Sequence, residues 1–452
     1  MDAIMFVVQF AVVLACIFVG ARMGGLGLGV MGGLGMVALV FGFGDQPQNP
    51  PVDVMLIILA VVTAAATLQA AGGMDWIVNK SEKLLRKNPK RITFLAPIVT
   101  YFFTFCEGTG HCSYAILPAI AEIARGAGIR PERPMSIAVI ASQQAVTASP
   151  IAAATASLLS ILSGANISLM QIIICSFPAT FVACMIAAFV QSKIGKELDD
   201  DPEYQRRLKE GLVEPPTDAD AADDFKPSPC AKGSVVIFLV FFAVILLVGV
   251  VDIIRPSWTD ATGNTTYLSM IAAVEMLMLL CSAIIIIYMI KKEGKETVAK
   301  IPKGSVWEAG TGAVIAIFGV AWMGDTFFQA NKEFITNSIA DVVSQMPWLF
   351  AIALFALSIL LFSQAATVRT LMPLGVSLGI APALLVGMFP AVNGYFFIPN
   401  YPTCVAAINF DRTGTTKIGK YVLNHSFMLP GMIATVLSVV FGIGLASVVI
   451  GF

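Results

Sequence analysis

Apolar runs follow one another along nearly the whole chain. Ten of them, at 3–21, 24–43, 52–71, 134–162, 168–192, 233–254, 267–290, 308–330, 382–408 and 421–451, are each about long enough to cross a bilayer as a helix. The runs are continuous, whereas a membrane β-barrel alternates apolar and polar residues over strands of about ten residues. Two further regions behave differently. Residues 92–124 are interrupted by CEGTGH and residues 348–380 by SQAAT. A helix needs about 20 residues to cross, and each arm here has about 13 to 15. Such arms predict re-entrant hairpins that enter and leave by one face. Two of the ten spans are themselves broken, by SQQAVTASP (142–150) and by NGYFFIPNYPT (393–403).

Basic residues set the orientation. Lys80, Lys83, Arg86, Lys87, Lys90 and Arg91 precede the first hairpin, and Arg125, Arg130 and Arg133 follow it. Both of its ends are therefore expected on the cytoplasmic side. The loops at 193–232, 291–307 and 411–420 are also basic. The segments GDQPQNPP, SGANIS, RPSWTDATGNTT and NKEFITNSIADVVSQMP carry few or no positive charges and are expected outside. The second hairpin then enters from outside, and both termini lie outside. Residues 1–192 and 233–452 each give three spans, a hairpin, a broken span and a final span, in opposite orientations. That is the inverted-repeat plan of secondary transporters. TGHCSYAILP (109–118) and QAATVRTLMP (364–373) echo it, with the same distance from tip to proline. The joining stretch 193–232 is polar and charged and reads as a cytoplasmic linker with one surface helix.

Composition agrees with an all-α polytopic membrane protein. The chain is 57% hydrophobic and 13% charged, with a mean hydropathy of +0.83; a soluble domain carries about 25% charged residues. The net charge of −1 offers no field for nucleic acid. The eight cysteines match no zinc or redox spacing and read as small core hydrophobes. HExxH is absent from the sequence, and no Ser–His or paired-Asp arrangement sits at matching depth, which argues against an intramembrane enzyme. No cofactor or metal site is expected.

In hydrocarbon every backbone N–H and C=O needs a partner, so a broken helix is tolerated only in protein or beside a wet cavity. Two tips and two breaks, one pair per repeat, are expected to meet near the midplane. Helix N-termini there present free N–H groups and partial positive charge, and neutral side chains add donors. The candidate substrate contacts are Gly108, Thr109, Gly110, Gln144, Thr147, Ser149, Gln364, Thr367, Arg369, Asn393, Asn400 and Thr403. Each has a plain structural alternative: turn geometry for the glycines, back-bonding within their own helices for the hydroxyls, internal pairing or snorkelling for Arg369. Gln143 and Gln144 cannot share one helix face, so at most one of them is expected to point at the site. Glu107 and His111 flank the first tip and either carry a coupled proton or sit at the hairpin mouth. Asp325 is expected near the outer surface, and His425 at the start of the last span.

Long segments resemble the anaerobic C4-dicarboxylate transporter (Dcu) family, nearest its A and B types, within the ion transporter superfamily. They are GARMGGLGLGVMGGLG, PVDVMLIILAVVTAAATLQAAGG, EKLLRKNPKRITFLAPIVTYFFTFCEGTGH, IRPERPMSIAVIASQQAVTASPI, VAWMGDTFF, SQAATVRTLMP and IPNYPTCVAAINFDRTGTTKIGKYVLNHSFMLPG. The resemblance covers nearly the whole chain and is weakest over 193–265. It implies transport of fumarate, succinate, malate and aspartate across the bacterial inner membrane, by exchange or by uptake with Na+ or H+. It also implies an elevator. Residues 1–75 and 233–330 would be scaffold, 76–192 and 331–452 would be the transport part, and 193–232 the linker. A homodimer is implied by the superfamily, and some members modulate a sensor kinase. An ion antiporter of the same superfamily would need paired acids in the breaks, where only Glu107 is found. A transport-inactive sensor component is the other alternative.

Overall fold

The computed structural model describes residues 2–23, 25–50, 52–165, 167–213, 226–250, 256–259, 265–331, 333–334, 346–361, 363–399, 401–419 and 423–451. The described chain is almost wholly helical. Its first half holds α1 (Asp2–Met23), α2 (Gly25–Val37), α3 (Val52–Ala70), α4 (Gly73–Lys87), α5 (Ile92–Glu107), α6 (Leu117–Gly126), α7 (Glu132–Val146), α8 (Ala153–Ile161) and α9 (Leu169–Gln191). The short α10 (Pro202–Lys209) follows in the linker. The second half holds α11 (Ala231–Val250), α12 (Met270–Glu293), α13 (Ser305–Ala330), α14 (Leu349–Leu361), α15 (Gln364–Ser377), α16 (Pro382–Met388), α17 (Pro402–Phe410) and α18 (Met428–Val449). By length and composition α9, α11, α12 and α18 can each cross a membrane as one helix. Helices on the outside of the bundle expose large apolar side chains, such as Ile4, Val30, Leu239 and Leu279. Such a surface suits lipid rather than water.

The centre is α7. Every residue from Arg133 to Val146 is buried, polar ones included. Helices α5, α9, α17 and α18 pack around it. Its polar residues are tolerated because neighbours satisfy them or use its backbone. Thr104 and Ser142 share a hydroxyl hydrogen bond of 2.7 Å, and Thr100 Oγ1 donates to the Ala138 carbonyl at 2.8 Å.

Three details depart from the sequence reading. The basic stretch after α3 is a helix, α4, set at 70° to α3. A search for apolar runs passes over it because Trp76, Ile77, Leu84 and Leu85 recur among charges at helical spacing. The loop after α11 contains a two-stranded antiparallel ribbon, Ser257–Thr259 with Thr265–Tyr267. The last helix begins at Met428 rather than 421. His425 therefore precedes it, in a turn where His425 bridges to Ile418 and Phe427 N–H donates to Nδ1 at 3.1 Å.

The segment before that turn folds around Asp411. Its carboxylate accepts N–H groups of Thr413 (3.0 Å) and Thr416 (2.6 Å) and the hydroxyls of Thr413 and Thr415. Thr415 Oγ1 accepts the Glu132 N–H at 3.2 Å, and Ser426 Oγ donates to Glu132 Oε1 at 2.6 Å. Arg130 donates to both Glu132 and Asp201, and Asp201 caps α10 through the Glu203 and Tyr204 N–H groups. Arg207 on α10 then donates to the Arg412 carbonyl at 3.0 Å. One polar clasp thus joins the first half, the linker and the second half.

Burial pushes the Asp201 carboxyl up, but the Tyr204 N–H, Arg130 and the Glu203 N–H outweigh it and hold it below the usual carboxylate range. A carboxyl lowered by folding contributes its stability above the unfolded value, about 3.9. That contribution is lost as pH falls through the folded value. Arg130→Leu strands the buried Asp201 and removes one donor from the half-buried Glu132, a change that costs about 3–5 kcal/mol. Denaturation in detergent across pH should show the full loss near neutrality and a shrinking gap below about pH 4.

Candidate functional site

Helix α5 stops at Glu107 because the next residue, Gly108, takes φ +72 and closes the helix with its N–H on the Thr104 carbonyl at 2.7 Å. A side chain is strained in that conformation. A Cβ on Gly108 would also lie 3.0 Å from the Ile151 carbonyl oxygen. A 3-10 turn, Gly110–Ala115, then leads to α6. Gly110 sits against the Gln143 amide, where a Cβ would fall 2.1 Å from Nε2. The first tip is thus pressed onto the first broken span. That span lacks α-helix between Val146 and Ala153, and Pro150 there has no N–H to continue one.

The hydroxyls of this break serve backbone. Ser149 Oγ donates to the Phe105 carbonyl at 2.7 Å, and Thr147 Oγ1 to the Gln144 carbonyl at 2.8 Å. Ser142 and Ser113 both donate to the Gly110 carbonyl. At the second tip Ser363 caps α15, its hydroxyl accepting the Ala366 N–H at 3.2 Å. Thr367 Oγ1 donates to the Ser363 carbonyl at 2.8 Å. At the second break the Gly394 N–H donates to Ser358 Oγ at 2.8 Å, which ties α14 to the break.

Side-chain amides link the two breaks. Gln364 Nε2 donates to Gln143 Oε1 at 3.0 Å and to Asn393 Oδ1 at 3.2 Å. Asn393 Nδ2 donates to Gln144 Oε1 at 3.1 Å and to the Pro390 carbonyl at 3.1 Å. Gln144 Nε2 donates to Thr435 Oγ1 of α18 at 3.0 Å. All five side chains are buried, and Asn393 is fully enclosed. Both glutamines of α7 therefore point at the second half, contrary to the expectation of at most one. They diverge by about 100° around the helix, but the second tip covers one side of the α7 end and the second break the other. Gln143, absent from the expected site, is a full member of the chain. The doubled Gln-Gln in a span was its signal.

Packing across the halves is reciprocal. The arm leaving the first tip, α6, packs on α17 after the second break, and α15 after the second tip packs on α8 after the first break. Thr403, in the first turn of α17, is completely buried, and its Oγ1 has no hydrogen-bond partner among the described residues. The ring of Tyr395 lies 4.9 Å from that of Tyr401 beside it. Glu107 is buried at the end of α5 and Thr109 is half-buried at the tip. Arg369 of α15 interacts electrostatically with Asp325 of α13. Asp325 is accordingly half-buried rather than a surface group. Asn400 and the side chain of His111 lie outside the described residues.

A family model described as anaerobic C4-dicarboxylate membrane transporter matches residues 5–450. The chain belongs to that family. The C4-dicarboxylate transporter DcuA of Escherichia coli K12 is 41% identical over 448 residues, covering 98% of this chain and 99% of that protein. DcuA of Wolinella succinogenes is 40% identical, with 99% and 100% covered. The anaerobic C4-dicarboxylate transporter DcuB of Escherichia coli O6:H1 is 40% identical, with 97% and 98% covered. Among solved structures the Alcanivorax borkumensis YdaH transporter superposes with a TM-score of 0.56 at 15% identity, covering 92% of this chain and 88% of that one. Neisseria gonorrhoeae MtrF, from a class of antimetabolite efflux pumps, superposes with a TM-score of 0.56 at 15% identity, covering 92% and 84%. At that identity the likeness concerns the fold alone. This member of the C4-dicarboxylate transporter family is a multi-pass membrane protein and not an enzyme.

The amide chain makes a prediction about stability. Gln364→Leu leaves amide oxygens of Gln143 and Asn393 buried without that donor, at about 1–3 kcal/mol per stranded group. Gln143→Leu combined with Gln364→Leu should recover part of the loss, because the pair is removed together. Unfolding in SDS–detergent mixtures of the single and double variants measures the coupling.

Proposed function

We propose that the protein carries four-carbon dicarboxylates, among them fumarate, succinate, malate and aspartate, across the bacterial inner membrane. It does so by exchange or by cation-coupled uptake, with the dianion held where the two tips and two breaks meet. Family membership and near-complete coverage of its relatives support the substrate class. The observation that carries the site is the set of helix starts at the breaks. Helices α6, α8 and α17 begin with no capping side chain. Pro118 and Pro402 supply no N–H and the Cys404 N–H is spent on the Tyr401 carbonyl, so the first turn of α8 and the N–H groups beside the two prolines are what an anion can use. Beside them stand the unpartnered hydroxyl of Thr403 and the neutral amides of Gln143, Gln144, Gln364 and Asn393. Neutral donors neutralise a dianion without burying full cations, which hydrocarbon penalises.

Apart from α4, which only the first half has among the described residues, the order of elements is alike in both halves: three helices, a helix–tip–helix, a broken helix and a long final helix. This supports an inverted repeat, with both termini outside as the basic loops require. The reciprocal packing of α6 on α17 and α15 on α8 supports one moving body built from both tips and both breaks, the elevator arrangement.

Proteoliposomes loaded with labelled succinate should release it on addition of external fumarate or aspartate. Flux against separate sodium and pH gradients then distinguishes exchange from coupled uptake. Loss of succinate flux with retained monocarboxylate flux would sink the substrate assignment. Thr403→Val is the sharper probe of the site. It replaces an unpartnered buried hydroxyl with a methyl, so stability should hold or rise. A lost charge-assisted hydrogen bond of about 1.5–3 kcal/mol should weaken apparent succinate affinity by roughly 10- to 100-fold. Unchanged affinity removes Thr403 from the site.

A further inference from the structure

Helix α4 leaves α3 at 70°, through Gly72 and Gly73, which pack on Ser228 and Ser234 at the start of α11. If α3 crosses the bilayer, α4 runs along its surface. The faces of α4 are unequal. Met74 and Leu85 are buried against the protein, and Trp76 and Ile77 are half-buried. Lys80, Lys83, Leu84 and Lys87 are exposed and recur at spacings of three and four, which places them on one stripe. Lys80 Nζ lies 5.5 Å from the centre of the Trp76 ring, so an amphipathic ring and a cation share the same edge.

A second basic segment meets this end of the bundle. The 3-10 stretch Lys295–Lys303 follows α12 and packs on α3. Gln69 of α3 holds the start of α13 just beyond it, donating to Ser305 Oγ at 2.9 Å and accepting the Val306 N–H at 3.2 Å. Lys291, Lys292, Lys295, Lys300 and Lys303 are all exposed there. Nearby acids do not balance them. Glu82 is paired with Arg86 and Glu293 accepts from Ser228, leaving Asp75 and Glu296 as the exposed carboxylates of the two segments.

We infer that α4 and the 295–303 segment together form a binding surface for anionic lipid headgroups, on the membrane face where α3 ends. Retention of basic residues on the cytoplasmic side explains their sign. It does not explain their alignment on one helix edge with Trp76 and Leu84, nor the packing of two sequence-distant basic segments on the same helix, α3. An interfacial helix needs that combination: apolar and aromatic residues at headgroup depth with cations beside them. Each cation near an anionic surface adds to the attraction. The inference does not depend on which solute is carried, so its failure and that of the transport assignment are separable.

The test uses the full chain with Trp76 as its sole tryptophan, the other four changed to Phe. It is reconstituted in mixed phosphatidylcholine–phosphatidylglycerol vesicles. Bromine quencher is placed on one lipid or on the other at the same mole fraction. Brominated phosphatidylglycerol should quench Trp76 several-fold more efficiently than brominated phosphatidylcholine. High salt should reduce the difference, and Lys80→Gln/Lys83→Gln/Lys87→Gln should bring the two to parity. Equal quenching in the parent, or no quenching by either lipid, overturns the inference. A second measurement needs no tryptophan background. The native sequence and the triple variant are extracted in the same mild detergent and compared by mass spectrometry for retained phosphatidylglycerol. The triple variant should retain several-fold less, and a control Lys196→Gln/Lys209→Gln should retain as much as the parent. Equal retention by the parent and the triple variant overturns the inference independently.

Discussion

A helix interrupted inside a membrane leaves peptide groups that no water can satisfy. Most of the architecture at the centre of this protein answers that one constraint. Breaks at 147–152 and 389–401 free carbonyls and N–H groups where lipid would tolerate neither. Ser358 takes up the Gly394 N–H at the second break, while Ser149, Ser142 and Ser113 take up carbonyls near the end of α5 and at the first tip. The amides of Gln143, Gln144, Gln364 and Asn393 then satisfy one another across the two halves. Each half therefore leaves polar groups that the other half completes, and neither broken span is stable in hydrocarbon alone.

The same constraint explains why neutral groups suit the proposed site. A cation buried among the breaks would need a permanent partner whenever substrate is absent. Arg369 illustrates this: it already has electrostatic company in Asp325 of α13. Amides and hydroxyls exchange partners at far lower cost, since each offers both a donor and an acceptor. Helix ends add partial charge without a titrating group.

The long apolar helices α9, α11, α12 and α18 were legible because lipid forces apolar residues into runs of a fixed length. The tips and breaks were legible for the converse reason, since CEGTGH, SQQAVTASP, SQAAT and NGYFFIPNYPT are expensive anywhere but in a protected cavity. What escaped was whatever depends on a distant partner. Gln143 and Gln144 diverge on an isolated helix, and only the wrapping of α7 by two separate segments puts both to use. Thr147 and Ser149 carry no mark showing that their hydroxyls turn to backbone. Helix α4 escaped because its amphipathic pattern is that of a surface helix, not of a span. Asp411 and its threonines looked like an ordinary polar turn, and nothing local in DRTGTT points to Glu132 or Arg207.

That last group has a mechanical meaning. Arg130 stands at the entry to α7, Asp201 caps the linker helix, and Arg207 reaches the segment that follows α17. Because Arg130 and Asp201 are buried and Arg207 reaches the Arg412 carbonyl from the same short helix, the entry to α7 and the exit of α17 are joined through a piece of chain that spans neither. Any displacement of one must drag the other by the same amount. The linker is thus a crosspiece rather than a tether. The covalent connection between the halves matters less for reach than for keeping the two in step.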